Sequence, residues 1–145
     1  MRTTKKMASV VILIKKRQKK VLLMLRDKRS STFQHLWGFA GGLVDKLDDN
    51  VIEHPIQTAK REVLEETGIV VKKLFFIEKE QRKNTTVFFF YCTDFEGEMK
   101  RECILEEHSA AAWVEVKDFS KAKTIPGSSK LLLKSLKLIR ERGLF

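Results

Sequence analysis

The hydrophobic residues of this chain fall into short runs that predict a β-sheet. Residues 8–16 and 21–26 are aliphatic runs separated by four polar residues, a pattern that predicts a β-hairpin. Residues 87–91 are apolar throughout, so the strand that contains them should be central and covered on both faces. The remaining predicted strands lie around residues 37–39 and over residues 70–80, 85–93 and 112–116.

Two segments show the spacing of amphipathic helices. The first begins at Pro55, which suits a first helical turn because an N–H there has no intrahelical partner. Its predicted inward residues are Ile56, Ala59 and Val63, and those of the second helix, over residues 128–142, are Leu132, Leu133, Leu136 and Ile139. These elements predict an α+β fold, an α/β/α sandwich in which a β-sheet lies between the two helices.

Length and composition predict one soluble domain spanning residues 1–145. The chain is 43% hydrophobic and 33% charged, and no apolar run reaches the length of a membrane span. The basic N-terminus is followed by apolar residues 8–14 and then at once by Lys15 and Lys16, which indicates a strand and not a signal peptide. Cys92 and Cys103 show no metal-binding spacing. We therefore expect a cytoplasmic protein without membrane contact.

The formal net charge of +10 allows two interpretations. Basic residues could neutralise the phosphates of a nucleic acid, or they could form a solvated surface that attracts anionic small molecules. The basic residues are spread between both ends of the chain, and no known nucleic-acid-binding motif interrupts them. We favour the second interpretation and expect an anionic small molecule as the partner, with a nucleic acid possible but not favoured.

The most informative segment is 61–69, REVLEETGI. On a helix its acids, Glu62, Glu65 and Glu66, share one face at spacings of three and four residues. Such acids repel each other unless a cation lies among them, and oxygen ligands suit a hard divalent ion. A solvated acidic face is the alternative, but the adjacent Arg61 and the glycine-rich segment 37–42, expected to form a turn, favour a metal site.

The same residues resemble the signature of the Nudix hydrolases, which runs Gly, five residues, Glu, seven residues, then Arg-Glu-apolar-x-Glu-Glu-x-Gly-apolar. Residues 61–69 match throughout, and Glu53 stands seven intervening residues before Arg61. Between Gly42 and Glu53, however, ten residues replace the usual five. We interpret segment 43–52 as a lengthened surface loop whose acids point to solvent: Asp45, Asp48 and Asp49.

The resemblance implies that the β-sheet is mixed. It also implies a Mg²⁺-dependent enzyme, with Mn²⁺ as a substitute, that cleaves nucleoside diphosphates linked to another group. It implies Glu62, Glu65 and Glu66 as metal ligands, with the Gly41 carbonyl completing the set. Arg61 is expected to hold Glu65 and Glu53 in position, as a partner of the ligands and not as a phosphate-binding residue. Glu107, six positions before Trp113, is the predicted general base or additional ligand, with Glu106 as the alternative.

The substrate is less specified. The only prolines, Pro55 and Pro126, are misplaced for the marker of ADP-ribose pyrophosphatases, and Tyr91 lies too late for that of dinucleoside polyphosphate hydrolases. We therefore favour a (modified) nucleoside triphosphate that yields monophosphate and pyrophosphate, in a monomer or homodimer. The alternatives are processing of RNA 5′ ends and a non-catalytic nucleotide-binding module. Residues that could stack on a base, or belong to the core, are Phe33, His35, Phe88, Phe90 and Tyr91.

Overall fold

The computed structural model describes residues 6–28, 30, 33–48, 51–104 and 108–143. The helices are α1, Pro55–Thr67, and α2, Ser128–Glu141, with 3₁₀ turns at Arg101–Cys103 and Val116–Lys121. The strands are β1 Lys6–Lys15, β2 Lys20–Arg26, β3 Trp37–Gly38, β4 Ala40–Leu43, β5 Lys46–Asp48, β6 Val51–Ile52, β7 Val70–Arg82, β8 Thr85–Glu96 and β9 His108–Glu115.

The main sheet is mixed, as predicted. Its strands follow the order β3-β2-β1-β8-β7, with β4 added to β1 and β9 added to β2. β1 and β8 run parallel, whereas the remaining strand pairs are antiparallel. The predicted hairpin of β1 and β2 is present, and β8 lies between β1 and β7 as a central strand.

Side chains of β1 alternate between two hydrophobic cores, one on each face of the sheet. Ile12 and Ile14 belong to the core that contains the apolar side chains of α2. Val11 and Leu13 belong to the core that contains Ala59 and Val63 of α1. A strand buried on both faces requires a covering layer on each side, and the two helices provide it. The predicted α/β/α sandwich is therefore confirmed.

The helices are rotated slightly from the predicted orientation. Ile56 is 40% exposed and Leu133 is 66% exposed, so both predictions of inward residues were wrong. In α2, Leu131 takes an inward position, because the buried stripe follows residues 128, 131, 132, 135, 136 and 139. In α1, Thr58 and Thr67 are buried, and their hydroxyls are satisfied by hydrogen bonds to Glu53 and to the Val63 carbonyl.

Both ends of α1 are fixed by local hydrogen bonds. The Ile56 N–H donates to Nδ1 of His54 at 3.1 Å, and the His54 N–H donates to the Gln57 side chain at 3.2 Å, which together form a capping box. Gly68 ends the helix at φ 79°, where its N–H donates to the Leu64 carbonyl. These caps define the length of the helix that carries the acids.

Two local expectations differ from the structure. Gly41 and Gly42 lie in strand β4, paired with β1, and not in a turn. The lengthened surface segment after them contains two short paired strands, β5 and β6, where the sequence predicted only a loop. Among the described residues, no helix is both long enough and apolar enough to cross a membrane.

Candidate active site

Arg61 forms a two-point ion pair with Glu53. Its Nε donates to Oε2 of Glu53 at 2.8 Å, and its Nη2 donates to Oε1 at 2.9 Å. Glu53 is buried and also accepts hydrogen bonds from the Thr58 hydroxyl at 2.7 Å and the Asp45 N–H at 3.2 Å. The hydrogen bonds from Arg61, helped by these two donors, lower the pKa of Glu53 to about 2 although burial opposes them. Glu53 is therefore held as a carboxylate.

The other side of the Arg61 guanidinium faces the helix acids. Its Nη1 donates to Glu62 at 2.9 Å and to Glu65 at 3.2 Å, so two carboxylates share one nitrogen. The hydrogen bond with Glu53 is the main cause that raises the pKa of Arg61 above its ordinary value. The side chain thus joins the segment before α1 to two acids on the helix, as the sequence predicted for Glu53 and Glu65.

The three helix acids occupy different environments. Burial is the main cause that raises the pKa of Glu62, although Arg61 opposes the shift. Glu65 is mostly exposed, with a side-chain exposure of 57%. Glu66 accepts a hydrogen bond from the Gly41 N–H at 3.2 Å, which links the helix to β4. The acids therefore line the gap between α1 and β4.

Glycine is required at the two positions of β4 because neighbouring atoms approach the backbone closely, and not because of an unusual backbone conformation. A Cβ on Gly42 would lie 2.3 Å from the carboxyl carbon of Glu62, and a Cβ on Gly41 would lie 2.2 Å from the Ser9 carbonyl oxygen. Neither glycine is among the described residues with positive φ. Only a residue without a side chain leaves room for the carboxylate and for β1 at these positions.

The carboxylate and carbonyl oxygens around β4 are ligands of the kind that a magnesium ion prefers. The described acids, however, do not converge on one point. Among the described residues, no three His, Cys, Asp or Glu side chains lie close enough to hold a metal. Glu62 and Glu65 already meet at one nitrogen of Arg61, and Glu65 is exposed enough to change rotamer. In extended backbone the N–H and C=O of one residue point in the same direction. The Gly41 N–H points towards Glu66, so the Gly41 carbonyl points to the same side of the strand.

The hairpin insertion contributes contacts that the sequence did not predict. The Asp45 carboxylate lies 3.4 Å from Nη2 of Arg61, and the Leu43 carbonyl accepts from the same nitrogen at 3.1 Å. The Asp45 side chain is 60% exposed, as the expectation of a solvent-facing acid required, but its carboxylate also pairs with Arg61. The side chains of Asp48 and Asp49, and the whole of Glu106 and Glu107, lie outside the described residues.

A cleft of about 550 Å³ adjoins the glycines of β4, with Gly41 and Gly42 in its wall. Aromatic and cationic side chains line it together: Phe33, Phe39, Phe89, Lys6, Arg26 and Arg82. Of the aromatic residues predicted to stack on a base or to belong to the core, Phe33 lines this cleft, whereas Phe90 and Tyr91 are core residues with exposures of 3% and 0%.

Comparisons with known proteins agree with the fold. The NUDIX domain family model matches residues 5–135. The MutT NUDIX hydrolase from Burkholderia pseudomallei superimposes with a TM-score of 0.75 at 19% identity, covering 91% of this chain and 98% of that one. The E. coli ORF135 protein gives a TM-score of 0.67 at 27% identity, covering 95% of this chain and 94% of that one.

A third similar structure is the NUDIX domain of Shewanella oneidensis NrtR complexed with ADP ribose. It gives a TM-score of 0.74 at 19% identity, and the alignment covers 98% of this chain and 90% of that one. No curated protein sequence matches this chain.

The Glu53 environment predicts a pH-dependent contribution to stability. Because the folded-state pKa is lowered to about 2, ionised Glu53 stabilises the fold fully above its unfolded-state pKa, and this contribution disappears as the pH falls towards 2. Glu53→Gln should lower the free energy of unfolding by about 2 kcal/mol at pH 7, since it weakens hydrogen bonds to a charged partner. Urea unfolding at several pH values between 3 and 7 should show the difference from wild type shrinking at acidic pH.

Glu80→Gln is the matched control, because Glu80 pairs with Arg82 at the surface, where both side chains are at least 40% exposed. It should change the free energy of unfolding little at any pH. A Glu53→Gln difference that stays constant from pH 7 to pH 3 would contradict the assignment.

The two β4 glycines should respond differently to alanine. Gly41→Ala meets the backbone of β1, which cannot move without disturbing the sheet, so we expect a loss of about 1–3 kcal/mol. Gly42→Ala meets the end of the Glu62 side chain, which can rotate away, so the loss of stability should be smaller. Thermal unfolding of both variants tests this order, and equal melting temperatures would contradict it.

Proposed function

The chain belongs to the Nudix hydrolase family, whose members act on nucleoside diphosphates linked to another group, and from this we infer that it hydrolyses a nucleoside triphosphate or a modified form of one. The products would be the nucleoside monophosphate and pyrophosphate. The observation that carries this proposal is the set of helix acids organised by Arg61 beside a cleft whose wall includes Gly41 and Gly42.

We propose that Glu62, Glu65, Glu66 and the Gly41 carbonyl hold a magnesium ion, for which manganese can substitute. Such an ion, when bound, neutralises phosphate oxygens and lowers the pKa of a bound water. Support comes from the oxygen-only donor set and from the partial burial of the Glu62 carboxylate, which favours a cation nearby. Glu65 and Glu62 are the acids that we assign to the chemistry.

Arg61 and Glu53 act as positioning residues in this proposal. The guanidinium fixes the carboxylates of Glu62 and Glu65, and Glu53 fixes the guanidinium by two hydrogen bonds. Such partners of metal ligands typically change affinity or activity ten- to a hundredfold when they are removed. Glu107 remains the proposed general base or additional ligand on sequence grounds.

The cleft suits a nucleoside in size and chemistry. Its volume of about 550 Å³ lies within the range of small-molecule sites. Lys6, Arg26 and Arg82 in its lining provide positive charge for an anionic substrate. Because Gly41 and Gly42 border both the cleft and the helix acids, a nucleoside in the cleft would direct its phosphates towards those acids. We expect the enzyme to act in the cytoplasm as a monomer or homodimer.

Processing of RNA 5′ ends is the second function that an observation favours. The turn between β1 and β2 concentrates cations, and Arg17 and Lys19 within it are exposed. A substrate screen with Mg²⁺ should therefore include RNA with a 5′-triphosphate beside the nucleoside triphosphates. A preference for RNA that falls steeply with added salt would favour this second function.

Hydrolysis should require a divalent cation and the helix acids. Removal of metal by a chelator should abolish turnover, and Mg²⁺ should restore it. Glu65→Gln and Glu66→Gln should each lower kcat by at least about a hundredfold, because each removes a proposed ligand. Glu98→Gln, a change of an exposed acid outside the site, is the matched control and should leave kcat unchanged. Full activity in chelator, or in either ligand variant, would contradict the metal assignment.

Shortening the β5–β6 hairpin should affect substrate access more than chemistry. The variant lacks five residues between Asp45 and Glu53 and keeps both, because the Asp45 N–H donates to the Glu53 side chain and the Glu53 N–H donates to the Asp45 carbonyl. Steady-state kinetics should show a larger change in KM than in kcat. An unchanged KM with kcat reduced by orders of magnitude would instead place a catalytic group on the hairpin.

A further inference from the structure

The segment between β2 and β3 contains unusual backbone conformations. Four described non-glycine residues have positive φ: Lys19, Phe33, His35 and Lys83. Lys19 and Lys83 lie in hairpin turns, where left-handed residues are common. Phe33, at φ 52°, lies in the longer connection between the antiparallel strands β2 and β3, and a bulky side chain with positive φ is a genuine outlier. Its conformation must be imposed by its surroundings.

Hydrogen bonds of the three residues that follow Phe33 fix the chain next to it. The His35 N–H donates to the Arg26 carbonyl at 2.8 Å, and the Arg26 N–H donates to the Leu36 carbonyl at 3.0 Å. The Gln34 side chain donates to the carbonyls of Lys28 and Ser30, at 3.1 and 2.9 Å. The segment is therefore tied both to the end of β2 and to itself, so it holds Phe33 in a strained state.

The strain leaves the Phe33 ring in the cleft and open to solvent. The residue is 42% exposed, whereas Phe89 is 2% exposed and Phe39 stacks on Phe119 at a centroid distance of 6.3 Å. Phe39 and Phe89 are thus occupied by packing within the protein, and Phe33 presents the most exposed aromatic ring of the cleft lining. A strained backbone that exposes an apolar ring does not favour folding, which points to a role in binding.

We propose that Phe33 is a specificity-determining residue whose ring stacks on the nucleobase of the substrate. This inference rests on the proposed function, because it requires a nucleotide in the cleft. Every base can stack on an aromatic ring. Phe33 therefore makes the cleft bind a nucleotide more tightly than a phosphate chain without a base, but it does not select one base over another. In this proposal the cationic side chains of the cleft contact the phosphates of the ligand, and Phe33 contacts only the base.

Isothermal titration calorimetry can separate these contributions without any turnover. The probes are the four nucleoside 5′-monophosphates and inorganic tripolyphosphate, which lacks a base. Phe33→Ala should weaken binding of the nucleoside monophosphates about tenfold or more, and Phe33→Trp should retain it. Binding of tripolyphosphate should be the same in all variants. Phe76→Ala is the matched control, since Phe76 is a 53% exposed aromatic outside the cleft lining, and it should bind every probe as wild type does.

Melting temperature distinguishes a binding role from a structural one. Phe33→Gly relieves the positive φ, so it should melt at or above the wild-type temperature while it loses nucleotide affinity. A variant that loses both stability and affinity would overturn the proposal in favour of a structural role. Unchanged nucleotide binding in Phe33→Ala, or an equal loss for nucleotides and tripolyphosphate, would also overturn it.

Failure of this inference can be told apart from failure of the proposed function. If wild type binds nucleoside monophosphates but Phe33→Ala binds them equally well, the stacking role is wrong and the nucleotide substrate stands. If wild type binds tripolyphosphate and none of the monophosphates, both the stacking role and the nucleoside triphosphate substrate are wrong.

Discussion

The two-point ion pair between Arg61 and Glu53 is the interaction on which the proposed active site depends. Nε and Nη2 along one edge of the guanidinium donate to the buried Glu53, and Nη1 donates to Glu62 and Glu65 on α1. The Leu43 carbonyl and the Asp45 carboxylate complete its contacts, so the start of the inserted hairpin is joined to the helix as well. A bidentate arginine pair fixes direction as well as distance, which a lysine at this position would not do.

The second constraint is the close approach of α1 to the sheet. Gly41 and Gly42 allow the carboxylates of the helix to reach β4, while Ala59 and Val63 pack on the core side of the same helix. The proposed metal ligands and the cleft then share one wall. Phe33, from the segment after β2, lines the same cleft, and hydrogen bonds of the residues that follow it fix the chain there.

The sequence predicted the local features of this arrangement and missed the long-range ones. Spacings of three, four and seven residues were enough to place the acids on α1 and to pair Arg61 with Glu65 and Glu53, because these contacts follow from helix geometry and a family pattern. The contact between Gly41 and Ser9 depends on the pairing of strand segments 32 residues apart, which periodicity does not encode. Ile56 and Leu133 point outward because the sequence predicted the buried face of each helix with an error of about one residue. The ion pair of Asp45 with Arg61 was missed because the spacing within a polar segment does not show that its residues return to the helix.

We propose that Glu62, Glu65 and Glu66 hold a divalent cation at the wall of the cleft. Anomalous diffraction from crystals soaked with Mn²⁺ tests it most directly, because the metal is located without reference to activity. The account predicts a peak about 2.1–2.2 Å from carboxylate oxygens of these residues, the distance at which small divalent ions bind oxygen. Strong anomalous peaks elsewhere and none between α1 and β4, at a Mn²⁺ concentration that supports turnover, would contradict it.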